Sequence, residues 1–188
     1  MLLITGLALW IIVHLMPSTA PAVKAAVVGR LGLGPYKGLF SLAILAALAL
    51  IIVGWGDASR AALYQPPQAL RMVTVLLMWP AIILFISGRL PADYKRVIRH
   101  PQLLGVKVWA LAHLLSNGEV RSLLLFGALL LWAVAEMVMI NRREGVRVIP
   151  EKVGMGRTLI PVVAGTLIYA ALMHFHAAFT GMPVIGTL

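Results

Sequence analysis

The sequence predicts an all-α integral membrane protein, a bundle of about six transmembrane helices, and three observations carry that prediction. Of the 188 residues, 61% are hydrophobic and only 12% are charged, and the mean hydropathy is +0.97, outside the range of a domain whose surface is wetted. Apolar runs recur at lengths suited to a hydrocarbon core of about 30 Å, which takes about 20 helical residues to cross. The runs are continuously apolar, whereas strands of a membrane barrel alternate. With no water to satisfy the backbone, such segments form helices. No soluble domain or low-complexity tract interrupts them, so residues 1–188 read as a single transmembrane domain.

The first segment, Leu2 to Met16, precedes its positive charges, and Met1 to Gly6 has no basic region. That order predicts a retained helix instead of a cleaved signal peptide. The connection Pro17 to Lys37 is broken by Gly29, Gly32, Gly34 and Pro35, leaving room for a short interfacial helix near Ala20 to Val28. Further spans are expected at Gly38 to Trp55, Ala69 to Gly88, Leu103 to Ser116, Val120 to Ile140 and Thr158 to Thr180. The first and fourth are short for a full crossing. Trp79-Pro80 predicts a kink in the third, because proline lacks a backbone donor and crowds the preceding turn.

Twelve of the 16 Lys and Arg residues fall after the first, third and fifth segments. By the positive-inside rule these connections are cytoplasmic, which puts both termini on the periplasmic side. The formal charge of +10 therefore points to topology and anionic lipid, and not to nucleic acid. The absence of cysteine excludes disulfides, thiolate ligands and a C-x-x-C-H haem attachment site.

Two segments echo one another. "GLALWIIVH" from Gly6 to His14 and "GVKVWALAH" from Gly105 to His113 both read G-x-x-x-W-x-x-x-H. Residues four apart share a helix face, so each segment presents glycine, tryptophan and histidine as one stripe. Glycine admits a flat group or another helix, Trp10 and Trp109 offer aromatic walls, and histidine offers a ligand or proton carrier. At about 1.5 Å per residue, His14 lies about 18 Å into its helix and His113 about 21 Å into its own, both in the membrane interior. His174 and His176 fall near the outer surface and are expected at its rim. Lys107 and Glu136 share a depth on consecutive helices, and an intramembrane charge is costly alone, so they are expected to pair.

Two buried neutral histidines without cysteine suit the axial positions of a noncovalent b-type haem. Zinc would want a denser ligand set, and an empty cavity in which the histidines hydrogen-bond to the backbone or to each other is the plain alternative. The stretch "RHPQLLGVKVWALAHLLSNGEVRSLLLFG", together with His14 before Met16-Pro17-Ser18, resembles the NnrU family of bacterial membrane proteins, a relative of the 15-cis-ζ-carotene isomerases. The resemblance implies a multi-pass bacterial inner-membrane protein. It implies haem b held by His14 and His113; on the stripe reading Gly6, Trp10, Gly105 and Trp109 would shape the pocket, and Lys107 would meet Glu136 or a propionate. It further implies a lipophilic polyene substrate, as in the isomerase branch, or a role linked to nitric oxide and denitrification, as in the bacterial branch. Where the isomerases carry a cysteine before the second ligand, this chain has Ala110, so a ligand switch through that position is not implied.

A reading of another class rests on Arg99, His100, Pro101 and Gly105, which also resemble a motif of membrane methyltransferases acting on isoprenylcysteine or phospholipid with S-adenosylmethionine. Those enzymes add paired glutamates from a later helix. "NRREGVRVIPE" offers Glu144 alone there. Structurally, Arg99 suits the headgroups and Pro101 the first turn of a helix.

Overall fold

The computed structural model describes residues 1–181 and 184, and among them it is all helical apart from one isolated bridge. Seven α-helices follow in order: α1 (Leu2–Thr19), α2 (Pro21–Leu31), α3 (Leu33–Asp57), α4 (Ala69–Ser87), α5 (Pro101–Ser116), α6 (Val120–Glu144) and α7 (Met155–Thr180), with a 3₁₀ turn at Asp93–Arg96. Five of them, α1, α3, α4, α6 and α7, are long and apolar enough to cross a membrane. The sixth expected crossing is α5, whose 16 residues rise only about 24 Å. Large apolar side chains stand exposed along the long helices, among them Leu76, Leu131 and Leu167. That surface suits lipid and not water. The protein is a multi-pass α-helical membrane protein.

Several helices run further than their apolar runs. The sequence reading ended the first at Met16, yet α1 continues through Pro17 to Thr19. Proline in the last turn forfeits a single backbone bond, and the amide of Ala20 still reaches the Met16 carbonyl at 2.9 Å. The expected interfacial helix is α2, opened by Pro21 at its first turn and closed by Gly32, whose φ of 85° is a conformation glycine adopts without strain. α3 and α6 likewise extend into polar residues at their ends, because backbone hydrogen bonding does not stop where the hydrophobic run does.

The chain divides into two compact units, each assembled from separated segments: residues 1–65 with 117–146, and residues 66–116 with those from 147 onward. In the first unit α1 packs against both α3 and α6. The α1/α3 approach is backbone to backbone. A Cβ on Gly6 would stand 2.8 Å from Ile51 N and 2.9 Å from Ala47 O, and one on Gly54 would overlap the backbone of Leu2 and Leu3. Leu3, Leu7 and Ile51 are buried in that seam. At one end the segment 59–64 lies antiparallel to 118–121, with Leu63 N on Gly118 O at 2.8 Å and Val120 N on Ala61 O at 3.0 Å. Arg121 is buried there, its Nε 2.6 Å from Glu119 Oε2 and its guanidinium 4.5 Å above the Trp55 ring.

In the second unit α4 packs against both α5 and α7. Gly105 meets Ala81 O and Phe85 N, each 2.7 Å from where its Cβ would be, and Gly165 meets Ile83 in the same manner. Polar bonds cross these seams. Thr74 Oγ1 lies 2.7 Å from Ala112 O, Trp79 Nε1 donates to Thr166 Oγ1 at 2.9 Å, and the Tyr169 hydroxyl donates to Val75 O at 3.0 Å. Pro80 stands inside α4 beside Trp79, as the sequence placed it. Between α4 and α5, Asp93 accepts from the amides of Val153 and Gly154 at 2.7 and 3.4 Å, which ties this connection to the start of α7.

Candidate functional site

Each unit carries one of the two histidine stripes. On α1, His14 Nδ1 is 2.9 Å from the Trp10 carbonyl, four residues back. A carbonyl only accepts, so Nδ1 carries the proton and the neutral ring has its lone pair on Nε2. On α5, His113 Nδ1 stands at the same 2.9 Å from the Trp109 carbonyl, which fixes the same tautomer. The four-residue spacing that makes the stripe also makes this bond, since the i−4 carbonyl is the acceptor within reach of a helical side chain. Both imidazoles are thus oriented by the backbone, with the lone pair on Nε2.

Their surroundings differ. Around His14 three rings gather: Trp10 at 4.3 Å between centroids, Trp132 at 4.9 Å and Phe40 at 5.8 Å. Trp10 and Trp132 also touch edge to face at 5.7 Å. Three buried polar atoms in this neighbourhood have no hydrogen-bond partner, namely Trp10 Nε1, Trp132 Nε1 and Glu136 Oε2. Buried polar groups are normally satisfied, so such a set marks a place suited to a ligand or water with hydrogen-bonding atoms. Ser18 is one turn beyond His14, and its hydroxyl donates to Glu136 Oε1 at 3.4 Å. His113 packs on Trp109 at 5.2 Å, and His176 of α7 is within electrostatic reach of it. The Thr180 hydroxyl donates to the His176 carbonyl at 2.8 Å and lies 3.1 Å from His176 Nδ1, an arrangement that also leaves the lone pair on Nε2.

The glycines of the stripes serve the second of their two possible uses. The space opened by Gly6 is filled by α3 and that opened by Gly105 by α4, so both set helix spacing. Lys107 is half-buried on α5 in the second unit, and Glu136 belongs to α6 in the first, where Ser18 is its partner. Arg99 and His100 are half-buried just before α5, and the His100 carbonyl accepts the first-turn amide of Leu104 at 2.9 Å. Glu144, at the end of α6, lies 3.3 Å from its neighbour Arg143. Among the described residues no three His, Cys, Asp or Glu side chains group to hold a metal ion by themselves.

Sequence reading missed Trp132 and Phe40, and it placed His176 at the outer rim without linking it to His113. Trp132 precedes Glu136 by four residues, a spacing that puts the two on one face of α6, and that was the available signal. Phe40 and His176 belong to separate helices with no shared pattern, so only tertiary structure brings them in.

A family model described as NnrU protein matches residues 2–184. The chain belongs to the NnrU family. No curated protein and no solved structure matches it. The NnrU match spans both stripes and all seven helices, so the features shared by α1 and α5 lie within the family domain.

Proposed function

We propose that this NnrU protein binds one noncovalent b-type haem, which His14 and His113 would hold through Nε2. The observation that carries the reading is the matched pair of Nδ1-to-carbonyl bonds, both 2.9 Å and both to a tryptophan four residues back. Histidines that ligate a metal ordinarily give their other ring nitrogen to a carbonyl or carboxylate, which fixes orientation and raises ligand basicity. The donor chemistry fits in other respects. There is no cysteine for covalent attachment, the walls beside His14 are aromatic, and the indole N–H groups of Trp10 and Trp132 are buried donors suited to a carboxylate-bearing ligand. Lys107, a cation on the helix of His113, suits a propionate.

Bound haem would supply one-electron redox chemistry and, when ferrous, an affinity for nitric oxide. Trp10 and Trp109 then hold their imidazoles in one tautomer, and the rings around His14 exclude water from its ligating nitrogen. Held by two imidazoles, the group would be suited to electron transfer. We therefore place the function in redox or nitric-oxide-related chemistry of nitrogen oxide metabolism, with isomerase-like action on a polyene as the other haem-based reading. The same proposal puts the protein in the bacterial inner membrane with both termini periplasmic, supported by the clustering of basic residues.

Purified protein is expected to show a Soret band that His14→Ala and His113→Ala each abolish. Colourless protein that retains no haem on reconstitution overturns the reading. A spectral shift when nitric oxide is added to the reduced protein supports the gas-linked role, whereas conversion of a cis-polyene supports the isomerase-like one. Binding of S-adenosylmethionine that is lost in His100→Ala would move the assignment to methyl transfer.

A further inference from the structure

The α1/α6 seam of the first unit carries a polar ladder beyond the ring cluster. Trp10 and His14 face Trp132 at one level. One helical turn on, Ser18 faces Glu136, as expected from the four-residue spacing on both helices. Arg143 closes the ladder, its Nη1 donating to Ser18 Oγ at 2.8 Å while its Nη2 lies 3.3 Å from Glu144 Oε1. The ladder runs from an exposed end to a sealed one. Arg143 and Glu144 are exposed, Ser18 is half-buried, and Glu136 Oε2 is shut off from solvent with no partner.

The hydroxyl of Ser18 is placed to pass protons. It has one hydrogen and two lone pairs. The hydrogen points to Glu136 Oε1, one lone pair takes Arg143, and the other remains for water at the exposed end. Glu136 is the acid of this seam. The groups that act on it are the Ser18 hydroxyl from α1 and the Arg143 guanidinium, two turns on along its own helix.

We propose that Ser18 and Glu136 form a proton-loading port, through which protons pass from the basic end of the first unit toward the buried ring cluster around His14. In the loading step a hydronium ion at the Arg143 end gives a proton to Ser18 Oγ, and Ser18 releases its own hydrogen to Glu136 Oε1. One O–H bond breaks and one forms at Ser18, an O–H bond forms on Glu136, and water is left behind. Arg143 keeps its protons, since a guanidinium does not deprotonate in proteins. It is a positioning residue that holds the Ser18 oxygen in line. Rotation of the carboxyl group then presents the hydrogen at the Oε2 side, where no group now claims it.

This port involves only the first unit and does not depend on haem, so its test uses the full chain in lipid nanodiscs without added cofactor. Infrared spectra recorded across a pH series are expected to show a carboxylic-acid C=O band that titrates, shifts in D₂O and is missing in Glu136→Gln. In Ser18→Ala the band is expected to remain while its hydrogen–deuterium exchange slows about tenfold, the equivalent of one hydrogen bond to a charged group. Ser18→Thr, which restores a hydroxyl, should recover the rate. If Glu136→Gln does not fold, Glu136→Asp makes the same assignment through a displaced band. A spectrum with no band that depends on residue 136 at any pH overturns the proposal, as does exchange in Ser18→Ala as fast as in the parent protein.

Discussion

The two units use the same histidine stripe on helices of different standing. In the first, the stripe is on α1, the helix that packs against both of its larger neighbours; in the second it is on α5, while the central place belongs to α4. The seams differ accordingly. α1 and α3 meet with glycine against backbone at Gly6 and Gly54, and α1 meets α6 through aromatic rings. α4 is joined to its partners by side-chain hydrogen bonds at Thr74, Trp79 and Tyr169 as well as by Gly105 and Gly165. A G-x-x-x-W-x-x-x-H segment thus specifies the local histidine geometry and leaves the tertiary surroundings open. His14 is ringed by three aromatic groups, while His113 has Trp109 against it and His176 in reach.

The comparison breaks most severely at Gly54. An alanine there places its Cβ inside the Leu2–Leu3 backbone, and no rotamer change relieves a backbone clash. Gly54→Ala is expected to destabilise the first unit by about 3 kcal/mol, the upper end for overpacking, seen as a lower melting temperature in detergent. Gly38 is on the same helix with nothing within 4 Å of a Cβ, so Gly38→Ala is the control. It should be neutral or stabilising by about 1 kcal/mol, the helix-propensity gain of alanine over glycine. Equal melting temperatures for the two variants would contradict the backbone-contact account of the α1/α3 seam.

A smaller effect is expected at Arg121, in the first turn of α6. It is 6% exposed, bonded to Glu119 and stacked over Trp55. Removing one partner of a buried pair strands the other, but Glu119 keeps a quarter of its side chain in solvent, which softens the loss. Arg121→Ala is expected to cost about 2 kcal/mol by the same melting assay, and Arg121→Lys most of that, because lysine lacks the planar group that stacks on Trp55. Full stability in the lysine variant would show that charge alone acts at this position.

What was legible followed from local periodicity. Helix class, the short α2 and the two stripes all depend on residues within a few turns of one another, and each is recovered with ends moved by a few residues. The partition into units was not legible, because α6 joins α1 and α3 across the whole of α4 and α5, and α7 returns to α4. The role of the stripe glycines was ambiguous for the same reason. Gly6 and Gly105 read equally well as room for a cofactor or for a helix, and the answer depends on Ala47, Ile51, Ala81 and Phe85, which are distant in sequence. Glu136 shows the limit from the other side: depth along one helix does not reveal its hydrogen bond to Ser18, a residue 118 positions away.

The smallest expected effect tests whether hydrogen bonds hold the second unit as packing holds the first. The Thr74 hydroxyl has one hydrogen and two acceptors in range, Leu70 O at 3.0 Å on its own helix and Ala112 O at 2.7 Å on α5. Bonding to Leu70 is available to any threonine in a helix, so only the bond to Ala112 ties α4 to α5. Thr74→Val keeps the shape and removes both. Interhelical hydrogen bonds in membranes average about 0.6 kcal/mol, because the separated helices also find partners, so the valine variant is expected to melt only slightly earlier than the parent. Tyr169→Phe, which removes the bond from α7 to Val75 O, should match it in size. With the two mutations combined, the losses should add if each seam stands alone, since additivity holds for sites without shared partners. A combined loss well above the sum would mean that α5 and α7 brace α4 cooperatively, and the second unit would then be held by a network and not by independent pairs.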